Sequence, residues 1–240
     1  MPLTKSRGNM YDWVTHTHSH LGGQCTNQCD YCYVQAMERR FNSGKYAGKL
    51  RLLDNELNVA YNQRGGLFSK PRTIFVEHCN DLCCDGVADK WIYEILQHCI
   101  QYPIHHYVFQ TRNPERLLGF ELPQRCTVGT TIETDDADLL LKHSKAPPPK
   151  YRASGLRELG KNGIRTFLTI EPIMQFDLDA FVNLVKQAKP LFVNIGADSK
   201  NSGLPEPTQS DVLALATRIQ ALLIEVHTKS NLKRIVNPVQ

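Results

Sequence analysis

The chain has 240 residues, of which 41% are hydrophobic and 22% are charged, and its net charge is +4 with neutral histidines. This composition is ordinary for a soluble globular domain and argues against disordered, collagen-like and membrane proteins. Because the first residues contain no apolar stretch of signal-peptide length, we expect a cytoplasmic protein, without a membrane partner, whose eight cysteines are reduced.

Short β-branched or aromatic runs alternate along the chain with segments of helical periodicity. Six strands are predicted, at residues 13–15, 73–76, 107–109, 127–130, 166–170 and 191–195. Apolar residues at helical spacing predict helices around 92–100 and 178–185, and a last helix that begins at Thr208 and reaches Val226. Because apolar strands joined by helices form parallel sheets, we expect an α/β fold, a partial (β/α)6 TIM-like barrel with the helices outside.

We expect residues 1–240 to form one domain, because this length is typical of a single α/β barrel. Within it, residues 16–33 are predicted to form a cysteine-containing loop, and residues from about 208 to 240 the C-terminal helix and tail. Barrel enzymes carry their reactive groups on loops at the carboxyl ends of the strands. The polar residues that follow each predicted strand are therefore the candidate functional residues.

Three of the cysteines stand close together near the amino end. Cys25, Cys29 and Cys32, called the cysteine triplet below, have the spacing C-x3-C-x2-C within the segment CTNQCDYC. Three thiolates on one short loop match the ligand preference of an iron–sulfur cluster. A four-iron cluster held by three residues keeps one iron open, as a catalytic zinc site keeps an open position, so the triplet indicates chemistry rather than electron storage.

The cysteine triplet, with Tyr31 before its last member, resembles the signature of the radical S-adenosylmethionine (SAM) superfamily. The segments GTTIETD, TIEPIM and NIGADS further resemble a small phage-associated branch related to spore photoproduct lyase, over Trp13 to about Pro207. The resemblance implies a [4Fe-4S] cluster on the triplet, whose open iron binds SAM, and reductive cleavage of SAM to a 5′-deoxyadenosyl radical that abstracts hydrogen from a substrate. It also implies an external flavodoxin- or ferredoxin-like electron donor.

The same resemblance suggests which residues contact the cluster and the cofactor. Tyr31 and Tyr33 are expected to shield the cluster. Glu77 and His78, after the second predicted strand, stand where the superfamily often has a Gly-Gly-Glu pattern that holds the SAM amino group. We therefore expect Glu77 and His78 to contact the cofactor.

Later strand ends supply the other candidates. Arg112 is the expected partner of the SAM carboxylate, because its planar fork can form a bidentate pair; a surface ion pair is the alternative. Glu133 is expected to accept hydrogen bonds from ribose hydroxyls. Carboxylates at barrel strand ends are functional more often than those on outer helices. On the substrate side, the candidate catalytic residues are Glu171, Asp198 and Lys200.

A zinc site is the alternative interpretation of the triplet. A closed Cys3His site would make the chain a zinc-stabilised, basic nucleic-acid-binding module without catalysis. The fourth ligand would be one of His16, His18 and His20. These histidines alternate with period two, so in an extended segment they share one side, either as polar packing beside the cysteines or as ligands of a second metal.

Three further cysteines, Cys79, Cys83 and Cys84, follow the second predicted strand and raise the question of an auxiliary cluster. Adjacent cysteines chelate one iron site poorly, and a fourth ligand is missing nearby. Ordinary thiols are therefore the favoured interpretation, and Cys79 has the best position to face the active site.

A basic stretch covers residues 141–165, which contain seven lysines and arginines against one glutamate. If the loop before Pro147 overhangs the barrel mouth, Lys142 and Lys145 would steer an anionic substrate. A solvated helix face is the alternative interpretation. Together with the photoproduct-lyase resemblance, the stretch favours a nucleotide or a nucleic-acid base as the substrate.

Overall fold

The computed structural model describes residues 3–61 and 70–237. The strands are β1 (Thr4–Lys5), β2 (His16–His18), β3 (Leu21–Gly22), β4 (Arg51–Leu52), β5 (Thr73–Val76), β6 (His106–Gln110), β7 (Cys126–Thr131), β8 (Arg165–Ile170), β9 (Phe192–Ile195) and β10 (Glu225–Thr228). The helices are α1 (Tyr33–Phe41), α2 (Asp54–Leu57), α3 (Asp89–Ile100), α4 (Ala137–His143), α5 (Pro149–Lys161), α6 (Leu178–Ala188), α7 (Gln209–Gln220) and α8 (Lys233–Val236). Across the described ranges, no helix is long and apolar enough to cross a membrane.

One sheet holds eight of the strands, in the order β1-β2-β5-β6-β7-β8-β9-β10. Its seven strands from β2 to β10 run parallel, and β1 is antiparallel to β2 at one edge. Strands β3 and β4 form a separate two-stranded ribbon. Because β1 and β10 do not pair with each other in the described chain, the sheet is an open, partial barrel. The predicted α/β class with parallel strands is confirmed.

Successive residues of a strand face opposite sides of the sheet, and here both sides are apolar. Phe75, Val108 and Phe167 form a cluster on the inner face. Their apolar strand neighbours pack under the helices in two larger clusters. Gly129 on β7 leaves room for the inner cluster, because a Cβ atom there would collide with the Phe167 ring. The helices therefore cover the outside of the sheet, and aromatic side chains fill its inside.

The first predicted strand, at residues 13–15, is wrong, because β2 begins at His16. Tyr11 and Val14 are buried in the inner cluster instead, and Trp13 meets the ring of Phe167 edge-on at 5.7 Å between centroids. This apolar segment covers the open inner face of the sheet, which explains why its composition looks like that of a strand. Residues 16–33, predicted to be a loop, accordingly contain both β2 and β3.

The C-terminal prediction is right at its start and wrong at its end. Thr208 and Asp211 form the expected capping box at the start of α7. The helix ends at Gln220, and residues 225–228 form β10 rather than a continuation to Val226. Strand β10 is mostly exposed and contains one apolar residue, Val226, so its sequence carries only a weak strand signal. The sheet thus has seven parallel strands where six were predicted.

Candidate functional site

The loops at the carboxyl ends of the parallel strands enclose a cavity of about 480 Å³, a size typical of small-molecule sites. Its lining includes nearly all of the residues that the sequence predicted for the site. These are the cysteine triplet, Tyr31, Tyr33, Glu77, His78, Arg112, Glu171, Asp198 and Lys200. Of the predicted set, Glu133 alone is absent from the lining.

The cysteine triplet lies on the segment 23–32, between β3 and α1. Gly23 starts this segment at a φ of 81°, and the backbone of Lys49 lies so close that no Cβ atom fits there. The backbone N–H of Cys32 donates to the carbonyl of Cys29 at 3.2 Å, which closes a turn between them. Cys32 is then the N-cap of α1, so the segment is fixed at both ends.

Two thiols of the triplet, those of Cys25 and Cys32, have raised pKa values. A hydrogen bond with Cys84 and burial raise the pKa of Cys25. Burial raises the pKa of Cys32, although the backbone N–H groups at the start of α1 oppose this shift. The Sγ atom of Cys29 lies 3.1 Å from the Ser144 hydroxyl. Thiolate ligands must lose their protons, so metal binding at the triplet would release protons and depend on pH.

The spacing of the triplet distinguishes a cluster from a single zinc ion. One tetrahedral zinc with Zn–S bonds of about 2.3 Å holds its sulfur ligands roughly 3.8 Å apart. Within residues 3–61 and 70–237, His18, His20 and His98 are the only set of three or more ligating side chains whose ligand atoms all lie within 4.8 Å. The described part of the chain therefore forms no closed Cys3His zinc site. The three thiols line the wall of the cavity without converging on a single point.

Glu133 holds two residues of the cavity wall in place. Its Oε1 accepts hydrogen bonds from the Tyr31 hydroxyl at 2.7 Å and from Arg112 Nε at 3.0 Å, and its Oε2 accepts one from Arg152 Nη1 at 2.7 Å. Burial opposes ionisation, but Arg152 and Arg112 outweigh it and lower the pKa of Glu133 to about 2. Glu133 is itself fully buried behind Tyr31 and Arg112. It is placed to position these residues rather than to meet a ribose directly.

Arg112 directs Nε and Nη2 to one oxygen of Glu133, Oε1, at 3.0 and 2.9 Å. Its backbone N–H donates to Asp81 at 2.8 Å. Asp81 also accepts hydrogen bonds from Asn27 in the cysteine segment, at 2.9 Å, and from the Thr111 hydroxyl. Asp81 therefore ties the loop after β6 to the cysteine segment. No role was predicted for Asp81 from the sequence.

Glu77 and His78 lie on the wall between the triplet and the core. The Oε1 atom of Glu77 accepts the backbone N–H of His20 at 2.7 Å and the His20 ring nitrogen Nδ1 at 2.8 Å, while its Oε2 accepts the N–H of Leu21. The His78 ring contacts the Tyr33 hydroxyl at 3.1 Å, and burial lowers the pKa of His78. Glu77 therefore fixes the chain between β2 and β3 from its place on the cavity wall.

The opposite wall centres on Glu171. Its Oε1 accepts the side-chain amides of Asn9 and Asn231, each at 2.7 Å, and its Oε2 pairs with Lys229 at 2.6 Å. The Lys229 ammonium lies 4.7 Å above the ring of Tyr11. Sequence reasoning missed all of these partners of Glu171, because they lie before β2 or after β10, outside the predicted strand ends.

Asp198 and Lys200 follow β9 at the same wall. The Oδ1 atom of Asp198 accepts the backbone N–H of Lys200 at 2.9 Å, and its other oxygen accepts that of Ser202. Asp198 therefore stabilises its own loop. Lys200 and Arg7 line the cavity and are exposed, and neither forms an ion pair within residues 3–61 and 70–237.

The basic stretch lies beside the cysteine segment. The backbone N–H of Lys145 donates to the carbonyl of Asn27 at 2.7 Å, and the side chains of Lys142 and Lys145 are exposed. Arg152 does not contribute to this surface, because it is fully buried and paired with Glu133. The exposed positive charge is thus smaller than the sequence suggested, but it adjoins the triplet.

The second group of cysteines is divided between the cavity and the core. Cys79 lines the cavity, and its backbone N–H donates to the Ser19 hydroxyl at 3.1 Å. Cys83 and Cys84 are buried in the core cluster under α3. Burial raises the pKa of Cys79 and of Cys83, as expected for ordinary protonated thiols.

Solved structures of similar fold include spore photoproduct lyase and Streptococcus suis SuiB. A spore photoproduct lyase mutant has a TM-score of 0.66 at 11% identity, over 94% of this chain and 79% of that chain. Another, with bound AdoMet and dinucleoside spore photoproduct, has a TM-score of 0.58 at 13% identity, over 89% and 63%. Streptococcus suis SuiB bound to S-adenosylmethionine has a TM-score of 0.54 at 12% identity, over 92% of this chain and 48% of that chain. These similarities confirm the predicted partial-barrel fold.

No curated protein sequence matches the chain. A family model does match, over residues 9–176, and its description is "Protein of unknown function (DUF5131)". The matched region is well over half of the chain and includes the cysteine segment, the strands from β2 to β8 and most of the cavity wall. The chain therefore belongs to the DUF5131 family.

Proposed function

We propose that this protein is a radical SAM enzyme, with a [4Fe-4S] cluster on Cys25, Cys29 and Cys32 and with SAM bound in the cavity. The observation that carries the proposal is the position of the triplet on one wall of a cavity at the carboxyl ends of the strands. When bound, the reduced cluster supplies the electron that breaks a sulfonium carbon–sulfur bond of SAM, which yields the 5′-deoxyadenosyl radical that abstracts hydrogen from the substrate.

Residues behind the triplet supply charge for an anionic part of the cofactor. Glu133 carries one negative charge and contacts two arginines, so the group formed by Glu133, Arg112 and Arg152 keeps one net positive charge. Arg152 is fully buried, whereas Arg112 lines the cavity. The net charge is therefore presented by Arg112, next to the cysteine segment. A carboxylate such as that of SAM is the natural partner for it.

The opposite wall is suited to a polar, anionic substrate. Glu171 and Asn9 offer hydrogen-bonding groups, and Arg7 and Lys200 place positive charge at the entrance. The buried Tyr11 also lines the cavity, and it donates to Gln110 at 2.7 Å. Radical chemistry requires that water and stray hydrogen donors be excluded, which buried aromatic lining favours. A nucleotide or nucleic-acid base matches these walls, and a spore photoproduct lyase of similar fold was solved with a dinucleoside photoproduct bound.

The electron must come from another protein under this proposal. The sequence contains nothing that resembles a flavin or nicotinamide fingerprint. We therefore include in the proposal an external flavodoxin- or ferredoxin-like donor and a reducing, cytoplasmic compartment, in which the thiols of the triplet remain free to bind iron.

Anaerobic reconstitution with iron and sulfide, followed by reduction and addition of SAM, tests the proposal. We expect about four iron and four sulfide per chain and the formation of 5′-deoxyadenosine. Replacing Cys29 by alanine should lower 5′-deoxyadenosine formation by roughly 100-fold or more, because a lost thiolate ligand weakens the cluster. Cys126→Ala is the matched control, since Cys126 is buried at the start of β7 and does not line the cavity.

Three results would overturn the proposal. A colourless protein whose triplet holds one zinc ion would favour the zinc-stabilised binding module. Full iron loading without any 5′-deoxyadenosine would make the cluster a redox or partner-binding element. Equal activity of Cys29→Ala and Cys126→Ala would remove the triplet from the reaction.

A further inference from the structure

A second group of ligating side chains lies behind the cavity wall, on the far side of Glu77. His18 ends β2, His20 follows two residues later, and His98 lies in the last turn of α3. All three are buried, and one ring nitrogen from each lies within 4.8 Å of the others. The hydroxyl of Tyr61 lies 2.7 Å from His18 Nδ1 and 3.2 Å from His20 Nε2. These four residues are called the histidine cluster below.

The outward-facing nitrogen of each ring is held by an oxygen atom that accepts a hydrogen bond. The pairs are His18 Nε2 with Glu56 Oε2 at 3.0 Å, His20 Nδ1 with Glu77 Oε1 at 2.8 Å, and His98 Nε2 with the Val59 carbonyl at 2.9 Å. Carboxylate and carbonyl oxygens accept hydrogen bonds, so each outer nitrogen carries the ring proton. A neutral imidazole has one N–H, and its inner nitrogen is then a lone pair. This arrangement is typical of histidines that bind a metal.

The lone pairs of the inner nitrogens repel one another unless a proton or a cation lies between them. His20 Nε2 and His98 Nδ1 are 2.8 Å apart, and the outer contacts make both of them lone pairs. The hydroxyl of Tyr61 has one proton, which it can donate to His18 or to His20 but not to both. The cluster therefore requires either an extra proton or a cation at its centre.

We propose that His18, His20 and His98 bind one divalent transition-metal ion of the zinc class, with the oxygen of Tyr61 as the fourth ligand. Neutral imidazole nitrogens suit zinc. The carboxylates of Glu56 and Glu77 contact the outer nitrogens of His18 and His20 and contribute negative charge beside the ion, although Glu56 also pairs with Lys45 at 2.8 Å. A tetrahedral ion with bonds of about 2.0–2.1 Å holds nitrogens roughly 3.3 Å apart, so the His20 and His98 rings need to separate by only about 0.5 Å.

This site is closed, in contrast to the cavity. Its ligands are buried, and they join β2, the chain before β3 and helix α3. Closed sites with four protein ligands are structural, and their binding free energy contributes to folding. The ion would therefore fasten α3 to the sheet and, through the contact of His20 with Glu77, hold the cavity wall in position.

The test measures metal content in a protein that lacks the cysteine triplet, so that neither iron nor zinc at those thiols contributes. We expect the variant with Cys25, Cys29 and Cys32 all changed to serine to retain about one zinc ion per chain after washing with a chelator. Adding His98→Gln should lower the zinc content about tenfold or more. His227→Gln is the matched control, because His227 is exposed on β10, and it should leave zinc unchanged.

Cobalt substitution gives a second readout that does not depend on the stability of the glutamine variant. We expect Co²⁺ in the triple-serine protein to show the visible absorption of a tetrahedral nitrogen and oxygen site, without thiolate charge transfer. His98→Cys should keep the metal and add a thiolate band. Any of three results would overturn the proposal: absence of metal from the protein, retention of zinc in His98→Gln, or a cobalt spectrum unchanged by His98→Cys. In that case a proton, rather than a metal ion, lies between the rings of the histidine cluster. Because the triple-serine protein cannot cleave SAM, failure of the enzymatic proposal would not alter these results.

Discussion

The cysteine triplet and the histidine cluster lie on opposite sides of Glu77 and differ in how they are enclosed. The triplet lines a cavity, and its thiols are spread more widely than one zinc ion would allow. The histidine cluster is buried, and an acceptor oxygen fixes each of its rings. The triplet offers three ligating side chains, whereas in the histidine cluster the hydroxyl of Tyr61 stands beside three histidines as the proposed fourth ligand. A metal site can perform chemistry when its remaining coordination position is open to small molecules, and it can only hold an ion when that position is closed.

Metal removal should give the largest difference between the two regions, measured as the fraction of metal that each one loses. We expect exposure to air and a chelator to remove almost all iron from the triplet while zinc remains in the histidine cluster. The cavity admits small molecules to the triplet, whereas the buried cluster must open before its ion can leave. Metal analysis of samples taken over time measures both losses. Release of iron and zinc at the same rate would show that the histidine cluster is not closed.

The buried carboxylate of Glu133, which supports the cavity wall behind the triplet, should make the free energy of unfolding depend on pH. The pKa of Glu133 is about 2 in the folded protein and 4.5 ordinarily, so the arginine contacts contribute about 3 kcal/mol to the free energy of unfolding. This contribution is fully present above the ordinary pKa and is lost as the pH falls toward the folded value. We expect Glu133→Gln to lower the free energy of unfolding near neutral pH by about 3 kcal/mol and to reduce its loss between about pH 6 and pH 3.

Urea unfolding at each pH measures this effect. The control is Glu158→Gln, on the surface of α5, where the carboxylate pairs only with the exposed Lys161 at 2.7 Å. A surface pair contributes at most about 1 kcal/mol, so the control should keep the acid sensitivity of the parent protein. Identical unfolding curves for the two variants would show that the buried carboxylate does not stabilise the cavity wall.

The sequence predicted the parts of the fold and site that depend on local pattern. The strand runs at 73–76 and 166–170 are apolar enough to be recognised, and the cap at Thr208 is a local motif. Residues that follow such strands reach the cavity because parallel strands share one carboxyl edge. Glu171 and Arg112 were found in this way.

The parts that were missed depend on contacts between distant segments. His98 belongs to an apolar helical pattern, and only folding brings it to within 2.8 Å of His20. Lys229 follows the mostly exposed strand β10, whose single apolar residue, Val226, gives too short a pattern to predict a strand. Tyr11 precedes the sheet and resembles part of a strand, although it covers the inner face. Pairings between distant residues are not encoded in local periodicity, so the histidine cluster and the wall opposite the triplet required coordinates.

Glu77 connects the two regions, and changing it should affect the closed one. We expect Glu77→Gln to weaken zinc binding at the histidine cluster by about 10- to 100-fold, because an amide supports the His20 ring less well than a carboxylate. Competition with a coloured chelator measures the affinity. Glu171→Gln is the matched control, since Glu171 also lines the cavity but contacts no histidine. Equal zinc affinities for the two variants would show that Glu77 does not support metal binding at the histidine cluster.

The smallest effect concerns the surface beside the triplet, where Lys142 and Lys145 are exposed. We expect changing both to glutamate to weaken binding of a short single-stranded oligonucleotide and to reduce the slope of log affinity against log salt by about 1.4, because each lost phosphate contact removes about 0.7. Fluorescence anisotropy at several salt concentrations measures the slope. The control changes Lys90 and Lys186 to glutamate, because these exposed lysines lie on α3 and α6 and do not line the cavity. If both pairs change the slope equally, the positive charge acts through the net charge of the protein rather than through a binding surface at the open site.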